Sequence, residues 1–296
     1  MINLPKRNAL VIANPTSGRG ACYKVLPDLE SDMKKAGWRY SIEIPESEEA
    51  SFKIAKTSWQ KGFDSIIAVG GDGTVHTILQ TMDINNQALG IIPLGSGNDL
   101  FRMLKIKGDF ESAIKNVIEG ENWKVDVGLF GEKRFLNTAG TGIDSETIKV
   151  RYETKGFIKR NYVLLFLKTL SQLKPFRMRI IADGKVIDDV FSWVIAANNN
   201  YIGGGMMIAP HAKQDDGFLD LIIIRKTSKF RMVQNIPAIF RGDHLKMPEA
   251  SEMKVKEIIF ESDEKRDLAV DGDIRAQIPI QIRVIPRTLS LIASKL

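Results

Sequence analysis

A single cysteine, Cys22, and three histidines are all that this chain of 296 residues holds of the softer metal-ligating and thiol side chains. One cysteine excludes an internal disulfide and any cysteine-based metal cluster, and it fits a reducing compartment. His211 and His244 have no metal-ligand spacing to the cysteine or to each other, and His76 is expected on a helix surface. No apolar run approaches the ~20 residues that a spanning helix requires. Met1 to Ala9 has neither the apolar block nor the cleavage pattern of a secretory signal, so the expectation is a cytoplasmic protein whose membrane contact, if any, is peripheral. Gly-Lys-Ser/Thr is absent, and no Gly-x-Gly-x-x-Gly follows the first strand, which removes the P-loop and the dinucleotide fingerprint. Internal repeats and low-complexity tracts are also missing. No recognised DNA or RNA module is present, so no nucleic-acid partner is expected.

What is present is ordinary for a globular protein: 44% hydrophobic and 26% charged residues, in a chain long enough for two domains. Forty-two Lys and Arg against 36 Asp and Glu leave a charge of +6. Such an excess permits attraction to nucleotides or anionic membranes and selects neither. Much of it lies between Arg151 and Arg179, where eight basic residues face one acid, Glu153, around the apolar run Tyr162 to Leu167. Two readings fit that segment. In one, Phe157, Tyr162 and Phe166 reach an acyl boundary while Lys and Arg grip anionic headgroups. In the other, Leu164 to Leu167 pack into the core and the charges are solvated.

Strand-like and helix-like runs alternate in the first part of the chain. Ala9 to Ala13, Trp38 to Ile44, Ile66 to Val69 and Ala88 to Ile92 read as strands. Helices are expected at Glu48 to Gln60, capped by Ser47, and at Phe110 to Glu119, capped by Asp109. This order implies a mostly parallel sheet with ligands at the carboxyl ends of its strands. From Trp123 onward short strands dominate: Val125 to Phe130, Phe176 to Ala182, Phe191 to Ala197, Leu219 to Ile224, Met253 to Phe260 and Ile278 to Val284. Helical segments around Tyr162 to Leu173 and Ser228 to Phe240 interrupt them. The expected domains are therefore 1–122, to which residues 286–296 can return, and a β-rich 123–285.

Three loops carry chemistry. Gly70-Gly71-Asp72-Gly73-Thr74 leaves an apolar strand and opens a helix, a turn whose glycines allow close approach and whose helical N–H groups suit a phosphate. A carboxylate in that turn, Asp72, makes sense with a divalent cation or water between it and the phosphate. The loop Pro93-Leu94-Gly95-Ser96-Gly97-Asn98-Asp99 follows the next strand and can line the same crevice. There Ser96 can donate to a phosphate and Asp99 can join Asp72, although Asn98 or Asp99 would equally serve as a helix cap. The third loop, Asn14-Pro15-Thr16-Ser17-Gly18-Arg19-Gly20, is rich in small polar donors.

Together, Asn14-Pro15 with Ser17-Gly18, Gly70 to Thr74 and Gly95 to Asp99 resemble the bacterial diacylglycerol kinase catalytic family, which also includes sphingosine kinases. The match continues through Val125 to Gly128, Phe135, Asn137, Ala139, Gly142, Asp144, Gly203 to Gly205, Asp216 to Asp220 and Asp271 to Asp273. The resemblance implies an α/β fold with an N-terminal phosphofructokinase-like nucleotide domain and a C-terminal β-sandwich. It further implies ATP-dependent phosphate transfer to a lipid hydroxyl, most often that of diacylglycerol, in the cleft between them. ATP would be bound by Asn14, Pro15, Ser17, Gly18, the loop Gly70, Gly71, Asp72, Gly73, Thr74, Val75, His76 and Thr77, and by Ser96, Asn98 and Asp99. Asp72, Asp99, Asp126 and Asp271 resemble the acidic network that holds catalytic magnesium, while Asp216 with the carbonyls of Lys213 and Phe218 resembles a structural magnesium site. Asp273 stands where the family usually has a glutamate acting as general base, and Pro45 near where relatives place a threonine against the nucleotide. Among rival readings, NAD kinase normally needs an Asn-Glu pair, whereas Asn198-Asn199-Asn200-Tyr201 has no acid. A membrane-associated nucleotide binder without turnover is the other, and a homodimer is left open.

Overall fold

The computed structural model describes residues 7–106, 109–156 and 162–294. The chain divides into two units, Met1–Val125 with Arg287–Leu296 and Asp126–Pro286. The division thus falls after Val125, where the sequence pattern put it after residue 122.

The first unit contains β1 (Asn8–Ala13), α1 (Cys22–Lys35), β2 (Arg39–Glu43), α2 (Glu48–Ser58), β3 (Ser65–Gly70), α3 (Asp72–Leu79), β4 (Ala88–Pro93), α4 (Asp99–Arg102) and α5 (Phe110–Glu119). Strands β3 and β4 are buried along their whole length and β1 along all but its first residue, so they read as continuous apolar runs rather than alternating ones. They pair in parallel in the order β2-β1-β3-β4. Ser290 and Leu291 add a further parallel strand beside Ala88 and Leu89 of β4. Asn116 of α5 fastens that return: its Nδ2 donates to the Ile292 carbonyl at 3.3 Å, and its Oδ1 accepts from Ser294 N at 2.7 Å. The expected caps are in place, with Ser47 Oγ accepting from Ala50 N and Asp109 Oδ1 accepting from Ser112 N.

The chain enters the second unit along β5 (Glu121–Phe130) and continues through β6 (Lys133–Phe135), β7 (Thr138–Gly142), α6 (Ile143–Glu153), α7 (Tyr162–Gln172), β8 (Phe176–Ala182), β9 (Lys185–Ala197), β10 (Tyr201–Ile202), β11 (Met206–Met207) and β12 (Leu219–Arg225). Two short helices follow, α8 (Lys229–Gln234) and α9 (Ile236–Ile239), and then β13 (Ala250–Val255), β14 (Glu257–Glu261), β15 (Arg266–Val270), β16 (Asp273–Ile278) and β17 (Ile280–Ala293). Pairing within the unit is antiparallel. The long strand β9 gives its first half to β8 and its second half to β7 and β12, so one strand serves two neighbourhoods of the sheet. Phe135, Phe176, Phe191, Phe260 and Leu268 build one core. Phe166, Trp193, Ile222 and Ile239 build a second, which the helices cover.

Three expected elements are corrected. Met253 to Phe260 is two strands, because the Asp183 carboxylate draws the amides of Lys256 and Glu257 away from the ladder. Ile278 to Val284 straddles β16 and β17, which break at Pro279, a residue with no N–H to give. Ser228 to Phe240 is α8 and α9 with Asn235 between them. Among the described residues, no helix is long and apolar enough to cross a membrane.

Candidate active site

The carboxyl ends of β1, β3 and β4 release three loops, and the first unit brings them into contact. A Cβ on Gly71 would lie 3.0 Å from the Gly95 Cα, and one on Gly95 would lie 2.8 Å from the Gly71 Cα, so the second and third loops touch backbone to backbone. Gly18, at φ +57°, comes so close to the third loop that a Cβ there would sit 2.9 Å from the Leu94 carbonyl. Asn14 ties the first loop to the second. Its Nδ2 donates to Thr74 Oγ1 at 3.0 Å, while its Oδ1 accepts from the Thr16 amide and hydroxyl.

Within this junction Asp72 faces the start of α4. Its carboxylate accepts from the amides of Asp99 and Leu100 at 3.3 and 3.4 Å. Neither Asn98 nor Asp99 caps α4 with its side chain; Asn98 adopts a left-handed φ of 51° and donates instead to the Gly95 carbonyl. Both the Asp72 and Asp99 carboxylates close on Gly97, where a Cβ would meet them at 3.3 and 3.5 Å. Two convergent carboxylates with oxygen donors only suit a hard divalent cation that keeps several waters, so these two residues fit magnesium. Among the described residues, no group of three His, Cys, Asp or Glu could hold a metal ion by itself.

Other residues of the expected nucleotide set are placed less openly. Val75, His76 and Thr77 are buried, as is Thr74, whereas Gly73 and Ser96 are exposed. The expectation that His76 lies on the helix surface is corrected: the first unit covers it, and its Nε2 meets Gln80 Nε2 at 3.2 Å. Thr77 donates its hydroxyl to Glu48 and to the Gly73 carbonyl. Pro15 and Ser17 belong to the first of these loops, and Gly70 ends β3 where the second begins.

In the second unit, Asp271 and Asp273 flank the turn between β15 and β16. Asp271, at a left-handed φ of 48°, is buried, and its carboxylate accepts from the amides of Leu136, Asn137 and Thr138 at 3.3, 2.9 and 3.3 Å. Asp126 is wholly buried and accepts from the Gly217 amide at 2.7 Å. Asn198 links these neighbourhoods by donating to the carbonyls of Asp126 and Leu136. Asp273 is reached by two donors on one oxygen: its Oδ1 accepts from the Tyr152 hydroxyl and from the Ile274 amide, the latter at 2.8 Å. Its Oδ2 lies 3.8 Å from the Arg275 guanidinium.

Asp216 does not present itself to a metal. Its Oδ2 holds the Lys254 ammonium and its Oδ1 accepts from the Phe218 amide at 3.1 Å, so the residues as arranged do not fit a structural cation. Beside them, Asp220 is buried with no hydrogen bond to either carboxylate oxygen, and burial raises its pKa to about 6.

Two partners escaped the sequence reading. Tyr152 lies 121 positions from Asp273, on α6. Trp193 donates its indole N–H at 2.6 Å to Asp144, whose carboxyl burial pushes up to about 7. No local pattern joins either pair; only the knowledge that α6 packs against β7, β9 and β16 could have found them. In the basic segment, Phe166 packs on Trp193 with ring centroids 5.9 Å apart, so it is a core residue rather than a membrane anchor. Phe157, Lys159 and Arg160 lie outside the described residues, as does the Tyr162 side chain.

Residues 8–130 match the family model of the diacylglycerol kinase catalytic domain, and residues 137–293 match that of the YegS C-terminal NAD kinase beta sandwich-like domain. The diacylglycerol kinase of Staphylococcus saprophyticus is 32% identical over 281 residues, covering 93% of this chain and 91% of the relative. That of Staphylococcus aureus strain JH9 is 30% identical over 295 residues, covering 97% and 93%. A crystal structure of a diacylglycerol kinase from Bacillus anthracis str. Sterne aligns with a TM-score of 0.76 at 25% identity, over 97% of each chain.

Proposed function

The chain belongs to the diacylglycerol kinase family and is a kinase, and we propose that it transfers the γ-phosphoryl group of ATP to the hydroxyl of diacylglycerol, giving phosphatidic acid. The observation that carries this reading is the junction of three small-residue loops at the ends of β1, β3 and β4, with Asp72 and Asp99 converging on Gly97. Glycines that allow so close an approach keep the loop amides free of side-chain cover, which suits a polyphosphate.

In this reading, the exposed Gly73 backbone and the Ser96 hydroxyl face the phosphates, and Asn14 keeps the first loop on the second. Asp72 and Asp99 would hold magnesium, which when bound neutralises charge on the phosphates. Asp273 takes the proton of the acceptor hydroxyl. Tyr152 and the Ile274 amide occupy its Oδ1, so Oδ2, whose neighbour is the Arg275 guanidinium at 3.8 Å, is the receiving atom. As the O–H bond breaks, the hydroxyl oxygen bonds the γ-phosphorus and the bond from that phosphorus to the bridging oxygen of ADP breaks. Asp271 acts through the backbone it binds, positioning the turn that carries Asp273, while Asp126 holds the loop at Gly217. A cytoplasmic protein that meets its lipid at a membrane face accords with this chemistry.

The test is incubation with γ-labelled ATP, magnesium, NAD and mixed micelles holding a panel of lipid alcohols, followed by separation of products. Label in phosphatidic acid is the expected result. Label in another lipid phosphate would move the acceptor, and label in NADP with none in lipid would overturn the assignment.

A further inference from the structure

The helical pair α8 and α9 is apolar on two sides. Hydrogen bonds of the helical kind cross the residue between them, from Asn235 N to the Arg231 carbonyl and from Ile239 N to the Asn235 carbonyl, both at 3.1 Å. Met232 and Ile239 turn inward to the core shared with Phe166 and Trp193. On the outside, Phe230, Val233, Pro237 and Phe240 follow at spacings of three, four and three residues, which is one stripe of a helix. Phe230 is 72% exposed, Val233 41% and Phe240 38%. A phenylalanine is buried in most folds, and a row of apolar side chains open to water marks an interaction surface.

The charge around the stripe says what it meets. From Lys226 to Lys246 the chain has five Lys or Arg and one acid, Asp243. Glu249 pairs with Arg231, and Asp243 pairs with Arg241 and Lys246, so five cations against two acids still leave an excess of three. Apolar side chains ringed by net positive charge suit the headgroup and acyl boundary of an anionic bilayer, where the rings enter and the cations stay at the phosphates. A protein partner would be met by apolar burial alone and gains nothing from the cationic rim unless it is itself acidic.

We propose that the stripe Phe230, Val233, Pro237 and Phe240, bordered by Lys226 and Lys229 and by the ion-paired Arg231 and Arg241, docks the protein on an anionic phospholipid surface. This deepens the kinase reading by naming where the enzyme meets the phase that holds its acceptor. It also relocates membrane contact from Phe166, which is committed to the core.

The experiment is flotation of the full chain, without nucleotide, on vesicles of equal parts phosphatidylglycerol and phosphatidylcholine, and on phosphatidylcholine alone. Binding to the mixed vesicles is expected, with at least about a tenfold loss in the double variant Phe230→Ser with Phe240→Ser, in line with removing two partly inserted rings. Undiminished binding of the double variant overturns the proposal, as does wild type that ignores the mixed vesicles. If the stripe instead covers a second copy, sedimentation velocity will show a concentration-dependent dimer that the double variant loses, without vesicle binding, and the proposal again fails. Should the double variant not fold, Phe230→Trp gives a second reading: its emission must shift to the blue on mixed vesicles, and an unmoved spectrum refutes the docking. Phosphorylation of a short-chain diacylglycerol dispersed in detergent is expected to stay unchanged in the double variant. Loss of that activity in wild type would count against the kinase reading and not against the docking surface.

Discussion

Asp271→Ala will unfold the second unit at a lower temperature, whatever it does to catalysis. The Asp271 carboxylate is the acceptor for three backbone amides in a buried turn, one at 2.9 Å and two at 3.3 Å. Each buried donor left without a partner costs about 1–3 kcal/mol, and the two longer bonds count for less than the short one, so the loss sums to about 2–4 kcal/mol. Alanine at a left-handed φ adds about 1 kcal/mol. For a cooperative unit of this size, about 2–4 °C per kcal/mol puts the melting point about 10 °C lower. Asn tolerates the same φ and keeps one acceptor oxygen, so Asp271→Asn costs roughly half as much. Differential scanning calorimetry at neutral pH measures both. A melting point for the alanine variant within about 2 °C of wild type, or an asparagine variant no better than alanine, would show that the turn is held by something other than these three bonds.

Asp144 makes stability depend on pH in a direction opposite to that of a paired carboxylate. Burial raises its carboxyl from the ordinary value of 3.8 to about 7 in the folded protein. The native state therefore keeps a proton that the unfolded chain releases, so stability falls as pH rises from about 4 to about 7 and then levels. Asp144→Asn retains an acceptor for Trp193 and should flatten that slope in urea titrations; an unaltered slope would refute the assignment. Gly95→Ala drives a methyl into the Gly71 Cα and Asn98 Oδ1, at 2.8 and 2.7 Å, and should cost about 1–3 kcal/mol with weaker nucleotide binding by calorimetry. Asp273→Asn should lower kcat about a hundredfold or more, whereas Tyr152→Phe, which removes one donor to Oδ1 and leaves Oδ2 untouched, should change it only a few-fold. Equal losses in those two variants would contradict the choice of Oδ2. Asp72→Ala should abolish turnover with a small change in melting point, since its two amide bonds are long, at 3.3 and 3.4 Å.

Much of the first unit was legible because its signals are local. Buried parallel strands are short apolar runs, Ser47 and Asp109 announce their helices, and the glycine loops stand directly after the strands that position them. Helix α1 carries Pro27 in its interior, which obscures the pattern of Val25, Leu26, Leu29 and Met33 that the fold buries. In the second unit the strands were visible and their ends were not. Lys256 ends a strand because Asp183, some 70 residues earlier, takes its amide, and sequence periodicity holds no record of such a partner. The same holds for chemistry. Asp273 could be picked out from its place in a motif, whereas Tyr152 and Trp193 become meaningful only when helix α6 has been laid on the sheet. Lys254 on Asp216 is a third case, since a cation supplied by a neighbouring strand is indistinguishable in sequence from any solvated lysine.

The return of Ser290 and Leu291 to the flank of β4 dictates an order of assembly. On the ribosome, the edge of β4 away from β3 must wait with its main-chain donors and acceptors bare while the residues up to Ser290, all of Asp126–Pro286 among them, are made. The middle of the chain can complete its own core first, and the first unit closes last, when Asn116 captures the arriving tail. Excised from that tail, the leading 125 residues would present an unprotected sheet margin, a template for sticking to their own kind.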